Sequence, residues 1–406
     1  MISRREFAGV IAASTWTARS YSQIAGANER LGIGVIGCGG MANVHMNRLL
    51  KLREKSDNFE FVAVCDLYDK RRDAAAQLTG GKPFTRYHDL LAEKGVDYIL
   101  NATPEHWHSH VTIDAIEAGK HVYNEKPMTR TVEQAKAVLA KAQANPKIKL
   151  QVGVQGMSDD SYITANKYVK DGTLGQVVMA QIDYSRNGKD DLWEYEYDPD
   201  VKPGVNFDWK TWQGDVPKHE FDPDRFHRWR KYFDYSGGIS GDLFVHRVTR
   251  IIKSLGLTFP DYGMGAGGRY VFKETKGDVP DTMDVLLDYP EGVTVQLVSS
   301  MANDRKIDHL LRGHKATLEF DQTGFTIIPQ KLFADEVKEV VHKKSGAEDV
   351  FLHHRNLQNA IRKGEALNCP VELGYYGVVA SEMGVQSLRK RAYMKWDKHA
   401  QRIVKA

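Results

Sequence analysis

The sequence predicts two domains: an N-terminal α/β domain on a mainly parallel sheet, and a second, sheet-rich domain whose strands have antiparallel neighbours. Three observations carry that prediction. Between residues 31 and 154, short β-like runs alternate with amphipathic stretches, the pattern of right-handed βαβ crossovers. The first of those runs opens directly into Gly37-Cys38-Gly39-Gly40-Met41-Ala42. Beyond residue 170 the β-like runs follow one another across short turns such as Tyr289-Pro290-Glu291-Gly292, which join antiparallel partners. A chain of 406 residues is long enough for two such cores.

Composition removes several classes of function. Lys+Arg 56 against Asp+Glu 53 leave a formal charge of +3, too balanced for a nucleic-acid binder or a protein drawn to an anionic membrane. No run approaches the ~18–20 apolar residues of a membrane span, and none is expected. A chain 42% hydrophobic and 27% charged is ordinary for a globular protein. Cys38, Cys65 and Cys369 lack a C-x-x-C spacing, so neither a metal site nor a disulfide framework is expected.

The first element reads as an address. Ser3-Arg4-Arg5-Glu6-Phe7 precedes a weakly apolar run at 8–13, and Ala25-Gly26-Ala27 offers a small-x-small cleavage site. Residues 1–27 are therefore expected to be a twin-arginine signal, with the export machinery as a partner and a periplasmic or secreted product. The alternative is an ordinary N-terminus with a chance arginine pair.

Strands are expected at 31–36, 60–65, 96–102, 121–124 and 149–154, with helices near 41–54, 70–78, 106–118 and 131–145. In the G-x-G-x-x-A string, Gly37 would allow the tight turn and Gly39 the approach of a pyrophosphate. Ala42 would let helix and strand pack closely. Free N–H groups at the helix start would face the phosphate. Asp66, closing the second strand, is placed to hold the adenosine ribose, though it lies further on than the usual ~20 residues; the polar stretch 54–58 would absorb the difference. A carboxylate there favours NAD, while Arg71 and Arg72 keep NADP open. The plain alternative for Asp66 is a strand-end turn.

The strand at 96–102 ends in Asn101-Ala102-Thr103-Pro104-Glu105-His106-Trp107-His108, and the next in Val122-Tyr123-Asn124-Glu125-Lys126-Pro127. Following the glycine loop at these distances, the two strings resemble those of the glucose–fructose oxidoreductase and inositol dehydrogenase family (Gfo/Idh/MocA). The likeness covers essentially everything after the signal. It implies an α/β Rossmann domain at 28–154 and a C-terminal α+β domain at 155–406, built on a large, open, mostly antiparallel sheet. It also implies a tightly bound NAD or NADP, with Gly40, Met41, Thr103, Pro104, His108, Glu125, Lys126 and Gln155 joining Gly37, Gly39 and Asp66 around it. Read from the residues alone, Pro127 pushes Lys126 into an extended conformation. The ammonium then projects from a strand end, where it can orient a substrate hydroxyl. A solvated surface lysine is the alternative. His106 and Trp107 are weaker candidates for the cleft wall.

In the second half a helix is expected at 159–171 and strands at 177–185, 268–274, 281–289, 292–300, 307–313 and 316–320. Between them, residues 186–236 are dense in aromatics and charge: Trp193, Trp209, Trp212 and Trp229 accompany Asp208, Asp224, Arg225, His227, Arg228 and Arg230. Aromatic faces beside hydrogen-bonding groups suit a pyranose ring, and Trp229 and Arg230 are the candidate sugar contacts. Tryptophans packed on the sheet are the alternative. The stretch leads into Gly237-Gly238-Ile239-Ser240-Gly241-Asp242-Leu243-Phe244-Val245-His246, which matches the family's G-G, aspartate and histidine. On a helix, Asp242 and His246 would share one face. His246 would act as general base while Asp242 orients the substrate or Lys126. A further aspartate frequent in the family is Thr249 here.

The resemblance thus implies an NAD(P)-dependent enzyme moving a hydride to or from a ring carbon of a sugar, polyol or glycoside, in a homo-oligomer. Two other readings stand beside it. One is a glycosidase that oxidises its substrate transiently, eliminates, adds water and reduces back. The other is a sugar-binding protein without catalysis, against which the joint presence of Lys126, Asp242 and His246 argues.

Overall fold

The computed structural model describes residues 30–53, 58–345 and 349–406; the segment read as a signal lies outside them. In the first domain, strands β1 (Leu31–Ile36), β2 (Phe59–Cys65), β3 (Lys82–Phe84), β4 (Tyr98–Asn101), β5 (His121–Glu125) and β6 (Leu150–Gly153) form a parallel sheet. The order is β3-β2-β1-β4-β5-β6, with β1 central. Helices α1 (Gly40–Arg53), α2 (Asp69–Thr79), α3 (Tyr87–Leu91), α4 (His108–Glu117) and α5 (Val132–Ala144) are the crossovers. All six residues of β1 are buried, as expected of a strand covered on both faces. Helix α5 starts at a capping box, in which the Thr131 side chain accepts from the Gln134 N–H and the Gln134 side chain returns to Thr131. Strand β3 and helix α3 were not expected; β3 is a three-residue edge strand holding Pro83, which only an edge tolerates.

Helix α6 (Asp160–Lys170), capped by Asp159, leads into the second sheet. That sheet has ten strands: β7 (Val177–Asp183), β8 (Tyr262–Gly268), β9 (Thr282–Tyr289), β10 (Val293–Ser300), β11 (His309–Gly313), β12 (Ala316–Phe320), β13 (Gly324–Pro329), β14 (Val340–Lys343), β15 (Met394–Asp397) and β16 (Arg402–Lys405). Their order is β14-β13-β12-β11-β7-β10-β9-β8-β15-β16, and every pairing is antiparallel except β7 with β10. Along β9, buried and exposed residues alternate, the mark of a sheet with one open face. Helices α7 (Val245–Leu255) and α9 (Val371–Lys390) cover the other face. Between them in sequence, α8 (Val350–Lys363) returns to the first domain and packs on α1, β5 and β6.

The strand expected at 268–274 is displaced. The true strand, β8, precedes it and is rich in glycine because α9 lies against it: a Cβ on Gly263 would stand 2.6 Å from Met383 Sδ, and one on Gly265 2.3 Å from the Gly384 carbonyl. The β-forming residues after it wrap a carboxylate instead. Asp281 Oδ2 accepts from the N–H groups of Tyr270, Val271 and Phe272 at 2.8, 2.8 and 3.1 Å. Strands β13 to β16 were not expected.

Candidate active site

A cavity of about 790 Å³ lies over the carboxyl ends of the first sheet, where open α/β sheets bind ligands. Gly37, Gly39, Gly40, Met41, Asp66, Thr103, Pro104, His108, Glu125, Lys126, Trp229 and Arg230 line it. The glycines differ in kind. Gly37 has φ +83°, and a Cβ there would stand 2.7 Å from the Thr103 nitrogen, so the fold itself requires glycine. A Cβ on Gly39 would meet nothing nearer than Arg71 Nη1 at 3.8 Å. Nothing in the protein demands glycine there, and the space belongs to the cavity.

Asp66 ties this loop to the end of β2. Its Oδ2 accepts from the Cys38 N–H at 2.7 Å and its Oδ1 from the Tyr68 N–H at 2.8 Å. Burial raises its pKa, against the pull of Arg71. The residue is therefore a loop brace and a turn former as well as part of the cavity wall.

The loops after β4 and β5 close the other end. Thr103 Oγ1 donates to Asn101 Oδ1 at 2.7 Å. His108 stands between the two loops, with Nδ1 2.6 Å from the Pro127 carbonyl and Nε2 2.9 Å from that of Thr103. Burial pushes its pKa below the usual histidine value. Lys126, joined to Pro127 by a cis peptide bond, reaches across to the second domain. Its Nζ donates to Asp242 Oδ1 at 2.8 Å and to the Asp242 carbonyl at 3.0 Å, while Arg230 Nε donates to the same Oδ1 at 2.9 Å. The side chains of Lys126 and Asp242 are 11% and 7% exposed. Burial pushes the Asp242 carboxyl up, but Lys126 and Arg230 outweigh it and hold the group well below the usual carboxylate range. Lys126, Asp242 and Arg230 are one ionic cluster at the cavity end.

Asp242 and His246 do not share a regular α-helix. Asp242 lies in a π-helical turn, Ile239–Phe244, and His246 in the first turn of α7; such turns recur at functional sites. Asp242 and His246 stand behind the cavity lining, and so does Gln155, whose Oε1 is buried without a hydrogen-bond partner. His246 Nδ1 is likewise buried and unpaired. Burial, then the charges of Lys126 and Arg250, push the His246 pKa well below its ordinary value, so the ring is neutral.

Two family models match the chain: an oxidoreductase family NAD-binding Rossmann fold over residues 31–154, and the C-terminal alpha/beta domain of the same family over residues 166–396. The chain belongs to the Gfo/Idh/MocA family. It is similar to inositol 2-dehydrogenase of Salmonella typhimurium, 30% identical over 148 residues that make up 36% of this chain and 43% of that enzyme. The match thus spans less than half the length of that relative. Among solved structures it is similar to levoglucosan dehydrogenase in complex with NADH, with TM-score 0.70, 16% identity and coverage of 90% of this chain and 99% of that one. It is also similar to aldose-aldose oxidoreductase from Caulobacter crescentus, with TM-score 0.68, 20% identity and coverage of 90% and 99%.

Where the Gfo/Idh/MocA pattern often has another aspartate, Thr249 donates to the Val245 carbonyl at 2.7 Å within its own helix. A Cβ on Gly377 of α9 would stand 2.6 Å from its Oγ1, and so close a helix leaves no room for a longer side chain. The open space at Gly39, in a glycine loop on the cavity wall, fits the pyrophosphate of a nicotinamide dinucleotide. The sequence missed Glu105, whose carboxylate accepts from Ser236 Oγ and the Gly237 N–H, both at 2.8 Å, and so holds the turn that carries Asp242. Burial, and then the charge of Asp242, push its pKa up to about 7. Its neighbours in T-P-E-H-W-H hid it, since nothing in a sequence marks a glutamate as buried.

The aromatic stretch divides. Trp209 and Trp212, 8% and 6% exposed, stack on each other within a core containing Tyr68, Phe207 and Phe226, and Trp212 also lines the cavity. Trp229, with the Arg230 guanidinium 4.2 Å from its ring centre, faces the cavity. The stretch also straps the segment after β2: Asp69 N–H donates to the Asn206 carbonyl at 2.9 Å, and Lys70 pairs with Asp198 and Asp200 at 3.0 and 2.6 Å. His106 Nε2 and Trp107 Nε1 lie 2.8 and 2.7 Å from the Trp212 carbonyl; Trp107 also lines the cavity.

Proposed function

We propose that the chain is an NAD(P)-dependent oxidoreductase that moves a hydride between a nicotinamide and a ring carbon of a sugar, polyol or glycoside. The observation that carries this is the Lys126–Asp242–Arg230 cluster, set where the glycine-loop cavity meets the second domain. The names of its relatives, which specify inositol, levoglucosan and aldoses, and the NADH bound to one of them, support it.

A bound nicotinamide supplies the hydride acceptor or donor. Lys126 donates a hydrogen bond to the reacting hydroxyl, and Asp242 and Arg230 fix where that ammonium sits. The neutral His246 ring takes the hydroxyl proton, while Trp229 offers a face to the apolar side of the ring. NAD is favoured by Asp66 at the end of β2, and Arg71 in the wall keeps NADP open.

The strap over the segment after β2 supports a nucleotide that does not readily leave. A resident nucleotide also suits the redox-neutral glycosidase, in which one site oxidises, eliminates, hydrates and reduces back. Residues 1–27, with their arginine pair and small-x-small site, would export the protein as a folded, loaded enzyme, and the open sheet face would pair subunits in a homo-oligomer. Native mass spectrometry of the purified protein, followed by a screen of polyols, aldoses and glycosides, tests the reading. A co-purifying nicotinamide with coenzyme turnover supports the dehydrogenase, and glycoside cleavage without coenzyme release supports the redox-neutral form. A protein that binds neither NAD(H) nor NADP(H) refutes both.

A further inference from the structure

Beneath the cavity a row of buried polar side chains runs from one end of the chain to the other. His45 of α1 places Nε2 2.9 Å from Glu125 Oε1, and its Nδ1 lies 2.9 Å from Nε2 of His354 on α8. His354 Nδ1 lies 3.4 Å from the Tyr98 hydroxyl, to which Gln358 Nε2 donates at 3.3 Å. His45, His354 and Tyr98 have no exposed surface. The His354 ring is stacked on Tyr123, centroids 3.9 Å apart, and the His45 ring meets it edge-on.

We infer that His45 and His354 are positioning residues for Glu125, fixing its carboxylate at the reacting end of the cavity, where its negative charge favours the oxidised, cationic form of a nicotinamide over the reduced, neutral form. This rests on the nucleotide reading above. The direction of each hydrogen bond follows from chemistry. The Glu125 carboxylate only accepts, so a neutral His45 donates to it from Nε2 and accepts at Nδ1. His354 then carries its proton on Nε2 and donates to His45, and its own Nδ1 accepts from the Tyr98 hydroxyl. Each donor fixes the tautomer of the next, and bonds in such a row polarise one another. Burial pushes the His354 pKa well below the ordinary value, which agrees with a neutral ring. Burial pushes Glu125 up, yet the hydrogen bond from His45, with the charge of Lys126, outweighs it and leaves the carboxyl below its ordinary value.

A merely structural row would serve the core better as hydrocarbon, because buried polar groups must all be satisfied to break even. This one ends on a carboxylate in the cavity wall beside Lys126. The adenosine end of the cavity is at Asp66, so Glu125, at the carboxyl end of β5, belongs to the opposite, reacting end.

The test is the ratio of NAD⁺ to NADH dissociation constants, measured on the full chain freed of nucleotide. His354→Phe keeps the stacking and ends the row. NAD⁺ binding is expected to weaken on the order of tenfold more than NADH binding, the scale of a hydrogen bond to a charged group. His354→Gln, which can still donate to His45, should restore most of the ratio. Should His354→Phe fail to fold, Tyr98→Phe removes only the outermost hydroxyl and should move the ratio the same way by roughly two- to threefold. Equal weakening of both forms, or an unchanged ratio, overturns the inference. A wild-type chain that binds neither NAD(H) nor NADP(H) overturns the nucleotide reading instead.

Discussion

Gly37 and Gly39 stand two residues apart in one loop, and alanine should affect them in opposite ways. At Gly37 an alanine must hold φ at +83°, which costs an L-residue about 1–2 kcal/mol. Its Cβ must also displace the Thr103 backbone, 2.7 Å away, and overpacking of that kind costs about 1–3 kcal/mol. Gly37→Ala should therefore lose roughly 3 kcal/mol and, at about 2–4 °C per kcal/mol for large domains, melt some 6–12 °C lower. At Gly39 the nearest atom is Arg71 Nη1, 3.8 Å off. Gly39→Ala should melt at the wild-type temperature or slightly above, because alanine narrows the unfolded ensemble. The added methyl would instead occupy the approach of the pyrophosphate, so NAD⁺ affinity should fall by at least about tenfold, or 1.4 kcal/mol. Thermal melting without nucleotide, followed by calorimetric titration with NAD⁺, separates the two effects. A Gly39→Ala protein that binds NAD⁺ like wild type would remove the pyrophosphate from that loop. A Gly37→Ala protein of unchanged stability would mean that the Thr103 contact carries no weight.

Three further outcomes are expected. Lys126→Ala and His246→Ala should each slow turnover about 10²–10⁴-fold, while the double variant loses far less than the product, since both serve one hydroxyl; multiplicative losses in steady-state kinetics would assign them to separate steps. Glu105, raised to about 7 in the fold, contributes stability that is fully present below its unfolded pKa of about 4.3 and is lost as pH rises through 7. Glu105→Gln should flatten the fall of melting temperature between pH 5 and 8, and parallel slopes for the two proteins would contradict this. Replacing Arg4 and Arg5 by lysine should hold the protein in the cytoplasm of an exporting host, and undiminished periplasmic arrival on fractionation would dismiss the signal.

The parts of the site that were legible in the sequence are those whose chemistry is local. The glycine loop between a strand and a helix, Asp66 at a strand end and Lys126 before a proline each carry their meaning within a few residues. Strand β8 was illegible because its glycines answer to a helix more than a hundred residues later, and propensity sees only β-forming Tyr270, Val271 and Phe272 beyond it. The His45–His354 contact joins residues 309 apart, and neither neighbourhood hints at the other. Asp242 was placed on a helix from its spacing to His246; the π turn that holds it depends on Glu105, which lies in the other domain. The composition of 186–236 left its other tryptophans open between sugar contact and packing, and only burial assigns Trp209 to the core, with Trp212 between core and cavity.

The excursion of α8 has a consequence for biosynthesis. Leu357 belongs to the apolar core of the first sheet and His354 to its buried polar row, so the nucleotide-binding half, although encoded first, lacks part of its interior until the ribosome has passed residue 363. Domains usually fold in the order in which they emerge, but here the first must wait for a helix encoded after β14 of the second. A chain cut short before α8 would release an unfinished cleft, with His45 against Glu125 but no His354 behind it. Emergence of α8 and completion of the first sheet's core are thereby made a single event.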